Sequence, residues 1–167
     1  MTAPTDPLHR RKMPSPVGEL TLLGGDGGLA AVLWENDRPG RVALGPLAPG
    51  GHAVLDETAA QLGAYFEGRL RVFDLPLDFR GTAFQQSVWQ ALLDIPFGET
   101  RSYGEIARAL GRPGASRAVG AANGRNPISI IAPCHRVVGG SGGLTGFAGG
   151  LEAKAWLLRL EGQPLLL

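Results

Sequence analysis

The chain has 167 residues, of which 44% are hydrophobic and 19% are charged, and its formal net charge at neutral pH is +1. This balance is typical of a folded globular protein and excludes an intrinsically disordered one. Residues 1–12 lack the apolar core of a signal peptide, and no apolar run has the length of a membrane span. The single cysteine excludes an internal disulfide, so we expect a reducing cytoplasm; three scattered histidines predict no metal site.

The first half of the chain has the pattern of a small α+β unit. Residues 1–14 are rich in proline and are expected to be irregular. Two apolar segments, 17–23 and 29–34, are joined by GGDGG, which is typical of a β-hairpin turn. Apolar residues at helical spacing predict a helix over 54–66, and strict alternation predicts an edge strand over 73–79.

These elements predict a structural N-terminal domain, residues 1–80, in which a helix covers one face of a sheet and which offers no evident chemistry. A boundary is expected at residues 80–81, after which the pattern becomes helical. The predicted fold class is α+β. A small sheet-plus-helix domain precedes a mainly helical, winged helix-turn-helix-like domain at residues 81–167.

Two capping boxes open helices in the second half. TAFQ at 82–85 opens a helix that runs through Ile95, and SYGE at 102–105 opens a short helix that Gly111 ends. After a tight turn, residues 115–123 (ASRAVGAAN) form a helix of small side chains, which completes a helix-turn-helix pattern. The sequence also predicts a short strand at 137–138 and a final amphipathic helix at 151–160.

The small-residue helix has two interpretations, which the pattern alone leaves open. Its surface suits close approach to a narrow DNA groove, with Arg117 as the single long side chain. It equally suits an ordinary buried helix that packs tightly. Between residues 101 and 136 six arginines stand against one acid, Glu105, and this excess favours an anionic partner such as nucleic acid.

The stretch 126–138 contains the only cysteine, Cys134, which lies between Pro133 and His135. The apolar run 128–132 is expected to hold it against a packed interior. A thiol becomes a strong nucleophile when a neighbouring imidazole or cation lowers its pKa. A small, buried, inert cysteine is the alternative that the stretch alone leaves open.

Several short blocks recur together in one protein family, in the same order and spacing. They are FGE at 97–99, SY at 102–103, RAVG at 117–120, NP at 126–127, PCHRV at 133–137, GFAGG at 146–150 and KAWLL at 154–158. From about Phe84 to Gly162 the chain resembles the O6-alkylguanine-DNA alkyltransferases, also called methylated-DNA–protein-cysteine methyltransferases. The N-terminal region resembles them only in size and α+β character.

The resemblance implies that Cys134 is a nucleophile that takes an alkyl group from O6 of guanine, irreversibly and once per chain. O4 of thymine is left open as a second source. His135 would act as the base, through a water, and Glu161 would orient its imidazole. Asn126 would fix the hydrogen bonds of the thiolate and the turn around it.

The substrate pocket implied by the resemblance is formed by Tyr103, Phe147, Ala148 and Lys154. Tyr103 would donate a hydrogen bond as the guanine leaves, and Lys154 would support the loop over the pocket. The family often has Tyr and Ser where Phe147 and Ala148 stand, so a hydroxyl donor is lost. Zinc-binding members use N-terminal Cys and His residues; this chain has no Cys there, so no metal or other cofactor is expected.

The implied partner is double-stranded DNA that carries O6-alkylguanine, bound by a monomer with no membrane involved. The damaged nucleotide must be flipped out of the duplex. Arg117 would fill the gap in the stack, and Gln85, Arg112 and Ser116 would meet phosphates.

Three other functions were weighed against this one. A non-catalytic alkyltransferase-like lesion binder would lack the reactive cysteine. A winged-helix transcription regulator would need long polar side chains on its recognition helix. A Cys-His hydrolase would have no use for the basic helix pair.

Overall fold

The computed structural model describes residues 6–140 and 147–163 of the chain. Within these ranges the N-terminal half holds three strands and one helix: β1 (His9–Met13), β2 (Leu20–Gly25), β3 (Gly28–Leu33) and α1 (Ala53–Phe66). The described C-terminal half holds α2 (Ala83–Leu92), β4 (Arg101–Ser102), α3 (Tyr103–Ala109), α4 (Ser116–Gly124), a 3₁₀ turn (Cys134–Arg136), β5 (Val137–Val138) and α5 (Leu151–Leu160). The predicted α+β class is confirmed.

The strands β2 and β3 form the predicted antiparallel hairpin, with Asp26 and Gly27 in the turn. Gly28, which follows the turn, has a φ of 120°. A Cβ atom at this position would lie 2.7 Å from the carbonyl oxygen of Pro76. Glycine is therefore required here, because the conformation and the close approach both exclude a side chain.

The expectation that residues 1–14 are irregular is wrong for β1, which pairs antiparallel with β2 along His9–Met13. Residues 1–5 lie outside the described residues. The sequence of β1, HRRKM, has no apolar alternation, and its three central residues are exposed. Its structure comes from backbone pairing to the edge of the hairpin, which a local pattern does not reveal.

The edge strand predicted over 73–79 is also wrong, since this segment forms a single bridge, between Leu77 and Leu29. The N–H of Leu29 donates to the carbonyl of Pro76 at 2.8 Å, and the N–H of Asp78 donates to the carbonyl of Leu29 at 2.7 Å. Pro76 has no N–H to extend the ladder. The alternating apolar side chains pack against the core instead.

The predicted helices are confirmed, with small changes at their ends. α1 begins after His52, whose ring accepts from the N–H of Val54. Both capping boxes are present, at Thr82 before α2 and at Ser102 before α3. α2 ends at Leu92, short of the predicted Ile95. β4 lies just before α3 and pairs with β5, which lies after the 3₁₀ turn, as a two-residue parallel ladder.

The main hydrophobic core is shared by the two halves of the chain. From the first half it takes the buried faces of β2, β3 and α1, and from the second it takes Ile128, Ile130 and Leu157. A second core lies within the C-terminal half and includes Cys134. The division at residues 80–81 stays a prediction. In the part of the chain described, no helix is both long and apolar enough to cross a membrane.

Candidate active site

The segment before Cys134 is buried and is fastened to the N-terminal sheet. The N–H of Val32 in β3 donates to the carbonyl of Pro127 at 2.9 Å. Residues 126–138 are all buried, as the apolar run predicted. Ile130 has a φ of 72°, which is rare for a β-branched residue. Tertiary packing holds this strained backbone in place and so fixes the path of the chain into the 3₁₀ turn.

Asn126 closes the loop that leads to Cys134. Its side-chain nitrogen donates to the carbonyl of Ala132 at 2.8 Å, and its side-chain oxygen accepts from the N–H of Ile128 at 3.0 Å. The residue is fully buried. These bonds hold the turn closed, and the role of Asn126 toward the thiolate stays a prediction.

The Cys134 side chain is almost fully buried, with the residue only 4% exposed. Burial raises the pKa of this thiol, although hydrogen bonds from Asn126 and Ser129 and the charges of Arg41 and Lys154 oppose the increase. These neighbours lower the thiol pKa, as the presence of cations near a thiol predicts, but burial has the larger effect. Desolvation of the thiolate outweighs the nearby cations, so the resting residue is a thiol.

His135 and Glu161 form a buried pair, with His135 Nε2 and Glu161 Oε2 2.8 Å apart and both side chains fully buried. Arg136 holds the same carboxylate through Nε at 2.7 Å and Nη2 at 3.0 Å. Burial alone raises the pKa of Glu161, but the hydrogen bonds and charges of His135 and Arg136 together lower it to about 2. The carboxylate is ionised at neutral pH and accepts every bond that it makes.

The ionised carboxylate fixes the tautomer of His135. Because Glu161 can only accept, Nε2 of a neutral imidazole must carry the hydrogen. Burial lowers the pKa of His135, against the raising effect of Glu161, which keeps the ring neutral. Nδ1 is buried and has no hydrogen-bond partner among the described residues. It is the ring nitrogen with a lone pair available to take a proton.

Lys154 is fully buried beside the thiol, on α5. Its Nζ donates to the carbonyl of Val137 at 2.6 Å and lies 5.9 Å from the centre of the Phe147 ring. Burial lowers the pKa of Lys154 to about 8, and the negative charge of Cys134, when it is a thiolate, opposes this change. Phe147 also packs edge-on against Trp34, with ring centres 5.3 Å apart. Ala148 follows it and is half-buried.

The residues predicted to meet DNA lie on the helix-turn-helix and at the start of α2. Arg117 is exposed on α4, and Ser116 and Tyr103 are half-buried nearby. The guanidinium of Arg112 lies 5.4 Å from the centre of the Phe84 ring. Gln85 is committed to the capping box of α2, since its Oε1 accepts from the N–H of Thr82 at 3.0 Å.

Gln85 also borders a cavity of about 690 Å³ whose wall includes Arg41, Arg80 and Arg125. Cys134 is not among the residues that line it. Among the described residues, no group of three or more His, Cys, Asp or Glu side chains could hold a metal ion.

Sequence reasoning missed two buried residues of the N-terminal half, Arg41 and Tyr65. Arg41 donates to Asp37 through two nitrogens, at 2.7 and 3.0 Å, and to the carbonyls of Gly124 and Asn126 at 3.1 and 2.9 Å. Tyr65 donates to Glu161 Oε2 at 2.6 Å. The only sequence feature that could have indicated either residue is a polar group in a region expected to contribute only to the fold.

Comparison with known families matches both halves of the chain. Residues 8–79 match the ribonuclease-like domain of 6-O-methylguanine DNA methyltransferase, and residues 83–163 match the DNA binding domain of the same family. A methylated-DNA–protein-cysteine methyltransferase of Mycobacterium tuberculosis is 54% identical over 156 residues, which cover 92% of each chain. A protein of the same name from Methanosarcina acetivorans is 50% identical over 149 residues, covering 89% of this chain and 95% of its own.

Solved structures give the same result. The crystal structure of the Mycobacterium tuberculosis O6-methylguanine methyltransferase has a TM-score of 0.80 at 53% identity, covering 92% of each chain. A crystal structure of the same organism's OGT in complex with DNA has a TM-score of 0.81, also at 53% identity and 92% coverage of each chain. Both domains and the full-length relatives therefore agree: the chain belongs to the 6-O-methylguanine DNA methyltransferase family.

Proposed function

We propose that this chain repairs DNA by direct reversal, with Cys134 taking a methyl or larger alkyl group from O6 of guanine in one irreversible step. The observation that carries this proposal is the buried pair of His135 and Glu161, 2.8 Å apart, which lies directly after the buried Cys134 in the chain and in which an ionised carboxylate supports a neutral imidazole. Close relatives are named methylated-DNA–protein-cysteine methyltransferases. DNA is the partner, because residues 83–163 match the family's DNA binding domain.

The proton of the thiol is the first obstacle, because burial raises the pKa of Cys134. His135 Nδ1 takes this proton through a water, and the negative charge of Glu161 stabilises the imidazolium that forms. The charge of Lys154 favours the thiolate. Ionisation is thus coupled to the reaction rather than present at rest, which protects the thiol from other electrophiles.

The transfer forms one bond and breaks another. Sulfur attacks the alkyl carbon, the bond from that carbon to O6 breaks, and the electron pair returns to the purine. Tyr103 donates a hydrogen bond to the guanine as it leaves, and the guanine becomes neutral when one of its ring nitrogens takes up a proton. The imidazolium of His135 releases the proton that it took from the thiol, so the proton count balances. In total the thiol proton replaces the alkyl group on guanine. Cys134 becomes a stable thioether, so each chain reacts only once.

Base extrusion precedes the transfer, because the thiol cannot reach a base that is stacked in a duplex. Arg117 is exposed on α4 and is the long side chain of a face that otherwise carries small residues. It fills the gap in the stack, while Ser116, Arg112 and Gln85 meet phosphates. Phe147, Ala148 and Lys154 line the pocket that receives the extruded base.

The proposal includes a monomer that works in a reducing cytoplasm. The single cysteine must remain a free thiol until it meets the lesion, and an oxidising compartment would consume it. Light scattering of the protein with and without a short duplex tests the monomer. A dimer in solution that persists on DNA would contradict it.

The deciding experiment is intact mass spectrometry after incubation with duplex DNA that contains O6-methylguanine. Wild type should gain one methyl group per chain and no more, and Cys134→Ser should gain none. Peptide mapping should place the group on the peptide that contains Cys134. Repeated turnover, or methylation of Cys134→Ser, would rule out the mechanism. A lesion binder without chemistry would show tight binding and no mass change in wild type.

A further inference from the structure

The hydroxyl of Tyr65 reaches the catalytic carboxylate from the half of the chain that was expected to be structural. Tyr65 lies on α1 and donates to Glu161 Oε2 at 2.6 Å, across 96 residues of sequence. Both residues are buried. The bond is therefore a direct contact between the N-terminal sheet-plus-helix region and the proposed triad.

Oε2 of Glu161 accepts three hydrogen bonds at once. They come from Tyr65 at 2.6 Å, His135 Nε2 at 2.8 Å and Arg136 Nη2 at 3.0 Å. Oε1 accepts from Arg136 Nε at 2.7 Å. In a buried site, the donors that bond to one carboxylate oxygen share its negative charge. Removing one donor therefore strengthens the interaction of that oxygen with the others.

Tyr65 acts as a donor at every pH that the folded protein experiences. Burial, with the charge of Glu161, raises the pKa of the Tyr65 phenol far above its usual range, against the opposing charge of Arg136. The charged groups that act on His135 are Glu161, Arg136 and Lys154. Tyr65 is a neutral donor, so its removal leaves the formal charge around Glu161 unchanged.

Aromatic packing fixes the direction of the hydroxyl. The Tyr65 ring lies 5.5 Å from Phe66, 5.3 Å from Phe73 and 6.4 Å from Phe97, centre to centre. A ring held on three sides cannot swing away from the carboxylate. The hydroxyl is thus presented to Glu161 by the rigid N-terminal core.

We propose that Tyr65 is a positioning residue for alkyl transfer, which acts through Glu161 to set the orientation and the basicity of His135. The role rests on the proposed function. Tyr65 holds the carboxylate in the rotamer that His135 requires. By bonding to Oε2, Tyr65 also weakens the electrostatic effect of that oxygen on the imidazole, which limits the basicity of His135. The ring therefore stays neutral and able to accept the thiol proton.

The test compares Tyr65→Phe with Thr58→Val. Thr58 is also fully buried on α1, and its hydroxyl donates at 2.6 Å, but to the carbonyl of Val54 in its own helix. Each variant deletes one buried hydroxyl from the same helix and keeps the shape of the side chain. Only Tyr65→Phe removes a bond to Glu161, so the pair separates positioning from general loss of stability.

The first readout is the pH profile of the single-turnover rate on O6-methylguanine duplex. The rate should fall at low pH as His135 becomes protonated. In Tyr65→Phe this acid limb should move to higher pH by about one unit, a tenfold change in proton affinity, as expected for one hydrogen bond to a charged group. Thr58→Val should keep the wild-type limb. Coincident profiles for the two variants would overturn the proposal.

The second readout does not depend on alkyl transfer. Histidine proton and nitrogen NMR resolves the titration of three rings, His9, His52 and His135, and a His135→Gln spectrum identifies the third. Tyr65→Phe should raise the midpoint of His135 and leave His9 and His52 unchanged. An unmoved His135 would reject the role of Tyr65 even if transfer occurs. If wild type takes no methyl group, the proposed function is wrong, but the titration still shows whether Tyr65 acts on His135 through Glu161.

Discussion

Around Cys134 the side chains are buried and bonded to one another, whereas one face of α4, with Arg117 proposed to meet DNA, is exposed. Glu161 alone accepts four hydrogen bonds from three residues. The exposed positions of α4 include Arg117, Ala118, Ala121 and Gly124. Their spacing places them along one side of the helix.

This difference predicts that substitutions in the two regions have different effects on stability and on activity. Buried, mutually bonded groups contribute to folding and to chemistry together, so changing one should alter both. An exposed helix face contributes little to stability, so a change there should alter only the steps that involve DNA. Each substitution below tests whether this separation holds.

The largest effect is expected for Glu161→Gln. It removes the charge that supports His135 and leaves the Arg136 guanidinium buried without its partner. We expect the transfer rate to fall by about 10²–10⁴-fold and the free energy of unfolding to fall by about 3–5 kcal/mol. Single-turnover kinetics and urea unfolding measure the two. The control is Glu152→Gln, an exposed carboxylate on α5, which should change neither; loss of rate without loss of stability would contradict the coupling.

The same carboxylate predicts an acid-sensitive fold. Its pKa falls from 4.5 to about 2 on folding, so the unfolded chain binds the proton more readily. The contribution is therefore complete above about pH 5 and disappears as the pH falls toward about 2. Unfolding at several pH values should show a loss of about 3 kcal/mol from this group. Glu161→Gln should lack that part of the slope, and an identical slope in both proteins would show that other carboxylates cause the acid sensitivity.

Arg41→Leu is expected to destabilise the fold by about 2–4 kcal/mol, because Asp37 and the carbonyls of Gly124 and Asn126 lose their buried donor. These carbonyls lie at the end of α4 and at the start of the segment that leads to Cys134. The rate should fall less than in Glu161→Gln, since no atom of the triad is touched. Arg38→Leu, at an exposed position, is the matched control in thermal unfolding, and equal melting temperatures for the two would refute the buried link.

Local chemistry explains which parts of the molecule the sequence predicts well. The capping boxes at Thr82 and Ser102 each need only four consecutive residues, and both are present. Cys134 and His135 are adjacent, and the family resemblance supplied Glu161. Elements set by a few neighbouring residues can be recognised without knowing the rest of the fold.

Long-range pairing explains what the sequence does not predict. β1 has no apolar alternation and exists because it pairs with β2. The bond from Tyr65 spans 96 residues, and those from Arg41 to the second half span 83 and 85. No local pattern marks one buried tyrosine or arginine as a partner of the site. The prediction of an edge strand over 73–79 was wrong for the opposite reason. Its alternating apolar side chains do pack against the core, but the backbone does not pair as a strand.

Arg117→Ala should lower the rate on duplex DNA by about tenfold, because unstacking a base step costs roughly a few kcal/mol and the inserted side chain offsets part of that cost. The rate on a single-stranded oligonucleotide should change little, since that base needs no extrusion. The unfolding free energy should stay within about 0.5 kcal/mol of wild type. Arg159→Ala removes the same charge from an exposed position on α5. If it lowers the duplex rate equally, Arg117 contributes only general electrostatics.

The smallest effects are expected from two Gly→Ala substitutions that differ in location. A Cβ at Gly63 in α1 would have no atom within 4 Å, and a Cβ at Gly120 in α4 would make an ordinary contact at 3.7 Å with the Tyr103 ring. Both should stabilise the fold by about 0.5–1 kcal/mol, because alanine is the better helix former. Only Gly120→Ala adds a methyl group against the proposed pocket, so only it should change the rate. Urea unfolding and single-turnover kinetics on the same samples decide this; a changed rate in Gly63→Ala would mean that helix stability in the N-terminal half limits transfer, and the two regions would not be separable.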